Sequence, residues 1–267
     1  MAKKLKYGEM FSGPGGLALG AKLASDKSKD FEIVHSWATD YDKEACKTYG
    51  ENICGDPYER SIICADIREM NLSSLDYVDI FSFGFPCNDF SLVGEHLGTD
   101  GIYGPLYTYA GSYLKLKKPN IFIAENVSGL SSANKGNAFK SILKTFIETG
   151  YKVTVNKFKF EYYGVPQKRH RIVIVGLKEN KFENYFKVPK EVPKFKTAKD
   201  ALEKPKIKEN AMNNELTKHP VQTVNRLKHI KPGENAWTAE LPDELKLNVK
   251  GAKLSQIYRR LKPDEPA

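Results

Sequence analysis

The stretch from Tyr77 to Ser91 constrains the fold most. Five of its first seven residues are aromatic or β-branched, and Gly84 and Pro86 then interrupt the run, the pattern of a buried strand ending in a tight loop. The loop presents Cys87 at the strand's carboxyl end. In an open α/β sheet ligands bind at that edge, so a thiol there is a candidate nucleophile. Free cysteine is also among the most buried residue types, and Cys87 alone does not choose between these readings.

Other apolar runs repeat the arrangement. Tyr7–Phe11 reads as a short strand, Ser12-Gly13-Pro14-Gly15-Gly16 as a loop and Leu17–Ala24 as a helix. Without intervening Cβ atoms, backbone N–H groups at such a helix start approach a nucleotide-like ligand closely; a plain turn is the alternative. The spacing is neither Gly-x-Gly-x-x-Gly nor a P-loop, which counts against NAD and ATP. A second strand, Phe31–Ala38, ends at Asp40 and Tyr41, where a carboxylate can grip a ribose diol and a ring can cover adenine. Helix capping by Asp40 or Asp42 competes with that reading. Ile62–Ile67 reads as a third strand with Asp66 at its end, placed to accept from an adenine amine.

Beyond Cys87, Leu92–Gly101 is glycine-rich and reads as a lid loop, and Leu106–Leu114 has helical core spacing. Ile121–Ala124 is another buried strand, delivering Glu125-Asn126-Val127 to the same edge. Glu125 is there a candidate acid, against an N-cap or a surface ion pair. A helix with Phe139, Ile142, Leu143, Phe146 and Ile147 on one face closes at Gly150, and Lys152–Phe160 alternates as a strand. Arg169 and Arg171 flank the start of a strand at Ile172–Gly176. Two guanidiniums at period two suit phosphate or a carbonyl-bearing ring, or simply guard a sheet edge.

At 267 residues, 40% hydrophobic and 28% charged, the chain has room for one large α/β domain or one domain plus part of a second. No apolar run approaches the ~18 residues of a membrane span, and Met1–Lys6 lacks a signal peptide's apolar core, so the expected location is cytoplasmic, off the membrane. The four cysteines Cys46, Cys54, Cys64 and Cys87 form no Cys-x-x-Cys pair. Neither a metal site nor a disulfide framework is expected, and the first three read as structural or incidental. Residues 181–267 carry 19 Lys/Arg against 12 Asp/Glu, leaving 23 against 21 before them. A basic segment on a nearly neutral core points to a polyanion or to an ordinary solvated surface.

Phe11-Ser12-Gly13-Pro14-Gly15-Gly16, Gly84-Phe85-Pro86-Cys87, Glu125-Asn126-Val127 and Gln167-Lys168-Arg169-His170-Arg171 stand in the order and spacing of the DNA (cytosine-5) methyltransferases. The chain resembles that family over roughly residues 5 to 180. The resemblance implies a Rossmann-like α/β fold, a mostly parallel central sheet with helices on both faces. Residues 1–180 would form the catalytic domain and 181–267 the start of an incomplete target-recognition region. It implies S-adenosylmethionine as cofactor, held by Phe11, Gly13, Gly15, Gly16, Asp40, Tyr41, Asp66 and Ile67. Cys87 would be the nucleophile, with Glu125, Arg169 and Arg171 at the target cytosine and Pro86, Asn88 and Gln167 as further substrate contacts. The implied partner is double-stranded DNA, in a restriction-modification pair; transfer RNA, or a non-catalytic nucleic-acid-binding role, are the alternatives, with a nicotinamide oxidoreductase a remote one.

Two departures stand out. Asn88 occupies the place of the family's usual glutamine. The family's last two motifs do not follow residue 267, so the sequence reads either as a shortened chain or as one subunit of a split enzyme whose second polypeptide supplies them.

Overall fold

The computed structural model describes residues 2–85, 106–131, 136–212, 214–215, 217–248 and 254–267. The chain divides into two compact units, Met1–Phe158 with His170–Pro189, and Lys159–Arg169 with Lys190–Ala267. The segment bearing Gln167 and Arg169 therefore groups with the C-terminal residues, although in sequence it precedes residue 180. Among the described residues, no helix is long and apolar enough to cross a membrane.

The first unit is built on a seven-stranded sheet. Its strands are β1 (Lys3–Met10), β2 (Phe31–Asp40), β3 (Ile62–Cys64), β4 (Ile80–Phe83), β5 (Ile121–Val127), β6 (Tyr151–Lys159) and β7 (His170–Lys178). The spatial order is β3-β2-β1-β4-β5-β7-β6. The β1–β2, β1–β4, β2–β3 and β4–β5 pairs are parallel, and β7 runs antiparallel to β5. Helices α1 (Gly16–Asp26), α2 (Lys43–Tyr49), α3 (Tyr107–Lys117) and α4 (Asn137–Ile147) lie between strands in the chain, the alternation that makes a parallel sheet possible.

Central β4, Ile80-Phe81-Ser82-Phe83, has all four residues buried, which is why its sequence is apolar at every position but Ser82 rather than alternating, and Ser82 is hydrogen-bonded to Tyr7. Phe81 stacks on Phe83 with ring centroids 4.9 Å apart and meets Tyr113 of α3 at 4.5 Å. Phe122 of β5 meets Phe146 of α4 at 5.4 Å. Gly176 is glycine because Phe122 occupies the space: a Cβ there would lie 1.9 Å from the ring.

The expected third strand is shorter than the apolar pattern suggests. It ends at Cys64 because Asp66 turns the chain, its side chain accepting from the Arg68 amide at 2.9 Å and capping a single 3₁₀ turn.

The second unit has a small core of Ile230, Ala236, Leu241 and Leu245. The region reads in sequence as lacking periodicity, yet it contains α5 (Ala198–Glu203) and α6 (Val221–His229). These are six and nine residues long. Thr197 and Asp200 close a capping box at the start of α5. Buried Arg226 donates to the Leu245 carbonyl at 2.6 Å and faces the Tyr258 ring at 5.4 Å.

Candidate active site

The strand order reverses at β1, whose neighbours β2 and β4 lie on opposite sides. At such a reversal the loops leaving the two sides diverge and open a crevice at the carboxyl ends of the strands. The loop after β1 is shaped by left-handed backbone at Phe11 (φ 56°), Gly13 (φ 52°) and Gly15 (φ 93°). Strain of about 1 kcal/mol or more at a non-glycine residue persists only where surroundings enforce it. Here the Ser12 amide donates to the Thr39 carbonyl at 3.0 Å, and the Gly13 amide to Asp40 Oδ2 at 2.7 Å. The other oxygen of Asp40 accepts from the Asp42 amide at 3.0 Å. Capping of α2 falls to Asp42, which accepts from the Ala45 amide at 2.8 Å. Asp40 thus joins the glycine loop to the end of β2.

A cavity of about 220 Å³ opens at this point, lined by Phe11, Gly13, Asp40, Tyr41, Asp66 and Ile67, six of the eight residues expected to hold the cofactor. The other two, Gly15 and Gly16, cap and begin α1 without lining it. Gly15 is confined by packing, since a Cβ there would lie 2.9 Å from the Tyr49 ring. The remaining lining residues are Thr39, Ala65, Arg68, Gly84 and Leu106; they come from strand ends and a helix start, and only the sheet register could have found them. Asp66 is paired with Arg68 through both carboxylate oxygens. That guanidinium holds the carboxyl down at about 2, so Asp66 is an anion at any ordinary pH.

These walls fit an adenosine-bearing cofactor. Apolar faces at Phe11, Ile67 and Leu106 suit the base, and the Asp40 and Asp66 carboxylates offer acceptors for hydroxyls and an amine. The donor set also suits a cationic rather than an anionic ligand.

Beside the cavity, Arg171 Nε meets Glu125 Oε1 at 2.8 Å, with side chains 22% and 25% exposed. Strand direction brings this about: because β7 runs against β5, its first residues meet the last residues of β5, and Val127 pairs with Arg171. The other carboxylate oxygen, Oε2, lies 3.6 Å from where a Cβ on Gly84 would stand. Asn126 donates from Nδ2 to the Phe85 carbonyl at 3.2 Å, fixing the chain as it leaves β4. Pro86, Cys87, Asn88 and the loop 94–101 lie outside the described residues. Arg169 and Gln167 belong to the second unit.

One buried group escapes a sequence reading altogether. Glu9, on β1 and 1% exposed, accepts from the Tyr7 hydroxyl at 3.1 Å; Tyr7 also bonds Ser82. Burial pushes the Glu9 carboxyl up to about 8, partly offset by hydrogen bonds from Tyr7, the Ala18 amide and Tyr49. Its partners Tyr7, Ala18 and Tyr49 sit on three different elements, so no local motif announces it.

Comparison with known proteins agrees with this geometry. The family C-5 cytosine-specific DNA methylase matches residues 5–264. The type II methyltransferase M.BbvI of Brevibacillus brevis is 49% identical over 99% of this chain and 73% of its own length. M.NgoFVII of Neisseria gonorrhoeae is 36% identical over 100% of this chain and 69% of its own. Among solved structures, the S. pombe Dnmt2 methyltransferase superposes with a TM-score of 0.58 at 15% identity, covering 90% of this chain and 73% of that one, a likeness of fold.

Proposed function

Because the chain belongs to the C-5 cytosine-specific DNA methylase family, we propose that it methylates C5 of cytosine in double-stranded DNA as the modifying enzyme of a type II restriction-modification system. The observation that carries this reading is Gly84. It lines the cofactor-sized cavity and also stands against Glu125, so the methyl-donor site and the carboxylate–guanidinium pair meet at one residue, three positions before Cys87.

S-adenosylmethionine, when bound, supplies an electrophilic methyl group on a cationic sulfur. Asp40 and Asp66 would hold its ribose and adenine, and Tyr41 would cover the base. Cytosine C5 is a poor nucleophile until the ring is activated. The Cys87 thiolate adds to C6 as N3 takes up a proton by way of Glu125, so the ring becomes an enamine nucleophilic at C5. Thiolate suits this step because an unperturbed cysteine ionises near pH 8.5, within reach of neutrality. Arg171 holds Glu125 in place and offers its guanidinium to the ring oxygen. After C5 takes the methyl group, the C5 proton passes to water, the Cys87 thiolate leaves C6 and the N3 proton returns to Glu125, which restores the neutral aromatic ring. The ring is inaccessible in a stacked duplex, so the cytosine turns out of the helix at a cost of a few kcal/mol, with the basic second unit holding the DNA backbone.

The test is transfer of labelled methyl from S-adenosylmethionine to unmethylated DNA. Cys87→Ala is expected to abolish transfer while cofactor binding persists. Full activity in that variant would overturn the covalent route, and labelling of transfer RNA in preference to DNA would overturn the substrate.

A further inference from the structure

Cys46 and Cys64 lie 18 residues apart in sequence, on α2 and at the end of β3. The fold brings them to one place. Pairing of β3 with β2 puts Cys64 opposite Asp40, while α2 starts two residues after Tyr41 and turns Cys46 back over the same strand end. The Cys46 thiol donates to the Asp40 carbonyl at 3.6 Å, and the Cys64 thiol to the Tyr41 carbonyl at 3.7 Å. The two thiols thus donate to successive carbonyls at the end of β2. Cys64 is exposed and Cys46 buried. Burial, then Cys64, pushes the Cys46 thiol up to about 12, so near neutral pH it stays protonated and the solvent-facing Cys64 meets an oxidant first.

We propose that Cys46 and Cys64 are an oxidisable dithiol: hydrogen peroxide converts them to a disulfide, and this weakens S-adenosylmethionine binding at the adjoining Asp40–Tyr41 turn. The Cys64 thiolate attacks the peroxide O–O bond, giving a sulfenic acid and hydroxide. Cys46, on losing its proton, attacks that sulfur and expels the second hydroxide. Two thiols and one peroxide become one disulfide and two waters, the sulfurs giving up the two electrons that the peroxide takes. Because both thiols already bond successive carbonyls of the same turn, the fold brings the two side chains together before any disulfide forms. A disulfide has no S–H to donate, so the Asp40 and Tyr41 carbonyls each lose a partner. The turn that presents Asp40 and Tyr41 to the cavity shifts as a result.

The consequence for the cofactor rests on the function proposed above; the bond formation does not. The full chain is treated with hydrogen peroxide, alkylated and digested with trypsin, and S-adenosylmethionine affinity is measured before oxidation, after it, and after dithiothreitol. The expected product joins the peptide Glu44–Lys47 to Ser61–Arg68, is absent from Cys64→Ser, and lowers affinity at least fivefold with recovery on reduction. Oxidation of Cys64 to sulfinic acid with no joined peptide would overturn the dithiol. A joined peptide with affinity unchanged within twofold would overturn the coupling. Failure of the reduced chain to bind S-adenosylmethionine at all would count against the cofactor reading, leaving the disulfide result intact.

Discussion

The two units solve the same problem by different means. In the first, strands buried on both faces carry an aromatic core in which Phe81, Phe83 and Phe122 are fully enclosed, and reactive groups project from the strand ends. In the second, four modest apolar residues form the core, and capping and side chain to backbone hydrogen bonds do much of the rest. Rigid strand ends hold a constellation to within fractions of an ångström, whereas a surface of short helices and loops changes its side chains at little cost to folding. The lesson is a division of labour: geometry that chemistry cannot relax sits on the sheet, and the basic surface that would meet DNA sits on the adaptable unit.

Removing a core ring tests this contrast with the largest effect. Phe81→Ala is expected to cost about 4 kcal/mol, against about 2 kcal/mol for Leu245→Ala in the smaller core, both read from denaturant unfolding. Equal costs would erase the distinction.

Next comes Glu9, which belongs to the sheet unit alone. Its folded value of about 8 exceeds the ordinary 4.5, so the folded chain keeps a proton that the unfolded chain releases. Stability is therefore full below about pH 4.5, falls as pH rises through about 8 and levels off above it. The loss should be on the order of 3 kcal/mol between pH 5 and 8, and Glu9→Gln should flatten the slope. A wild-type stability curve with no such decline would show that water reaches Glu9.

Glu125→Gln should lower turnover about 100-fold, or about 2.7 kcal/mol in barrier, while S-adenosylmethionine affinity stays within a few-fold, because Glu125 is not among the cavity-lining residues. A parallel loss of affinity would merge two parts of the site that the geometry separates. The smallest effect is expected in the second unit: Thr197→Ala removes the hydroxyl that accepts from the Asp200 amide while the Thr197 amide keeps its bond to the Asp200 carboxylate, and it should cost about 1 kcal/mol, visible as earlier proteolysis of residues 190–267 with the sheet unit intact.

Legibility in sequence follows the same contrast. β4 and β5 and the loops after them could be read because their buried stretches are mostly apolar and end at glycine or an acidic residue. Acidic residues closing the second and third apolar runs put Asp40, with Tyr41 beside it, and Asp66 on the same ligand edge, while the remaining expected cofactor residues came from the family resemblance. Asp40 could be placed but not assigned: only the register of β1 and β2 shows it accepting from Gly13 while Asp42 caps the helix. Cys46 and Cys64 looked incidental because nothing near either one in sequence announces the other; pairing of β3 with β2 brings them together. The third strand ran too long in the reading since Ile67 is apolar, although Asp66 had already turned the chain. In the second unit the six-residue α5 left too few turns for a period to show, whereas α6 spaces Val221, Val224 and Leu227 at helical intervals, a signal that was there to be read.

The start of α1 has one more consequence. Helix beginnings that follow a glycine loop commonly receive phosphate, because amides there point outward with no partner. In this chain the Gly13 amide is taken by Asp40 and the Ala18 amide by Glu9. The anion at this loop is Asp40, since Glu9 keeps its proton below about pH 8. A dinucleotide bringing pyrophosphate to this helix would find the Gly13 amide already engaged by a carboxylate, whereas a ligand with a positively charged sulfur and no phosphate meets attraction there. The chain's own acidic side chain thus favours one class of ligand at a helix start that related strand–loop–helix units offer to the other.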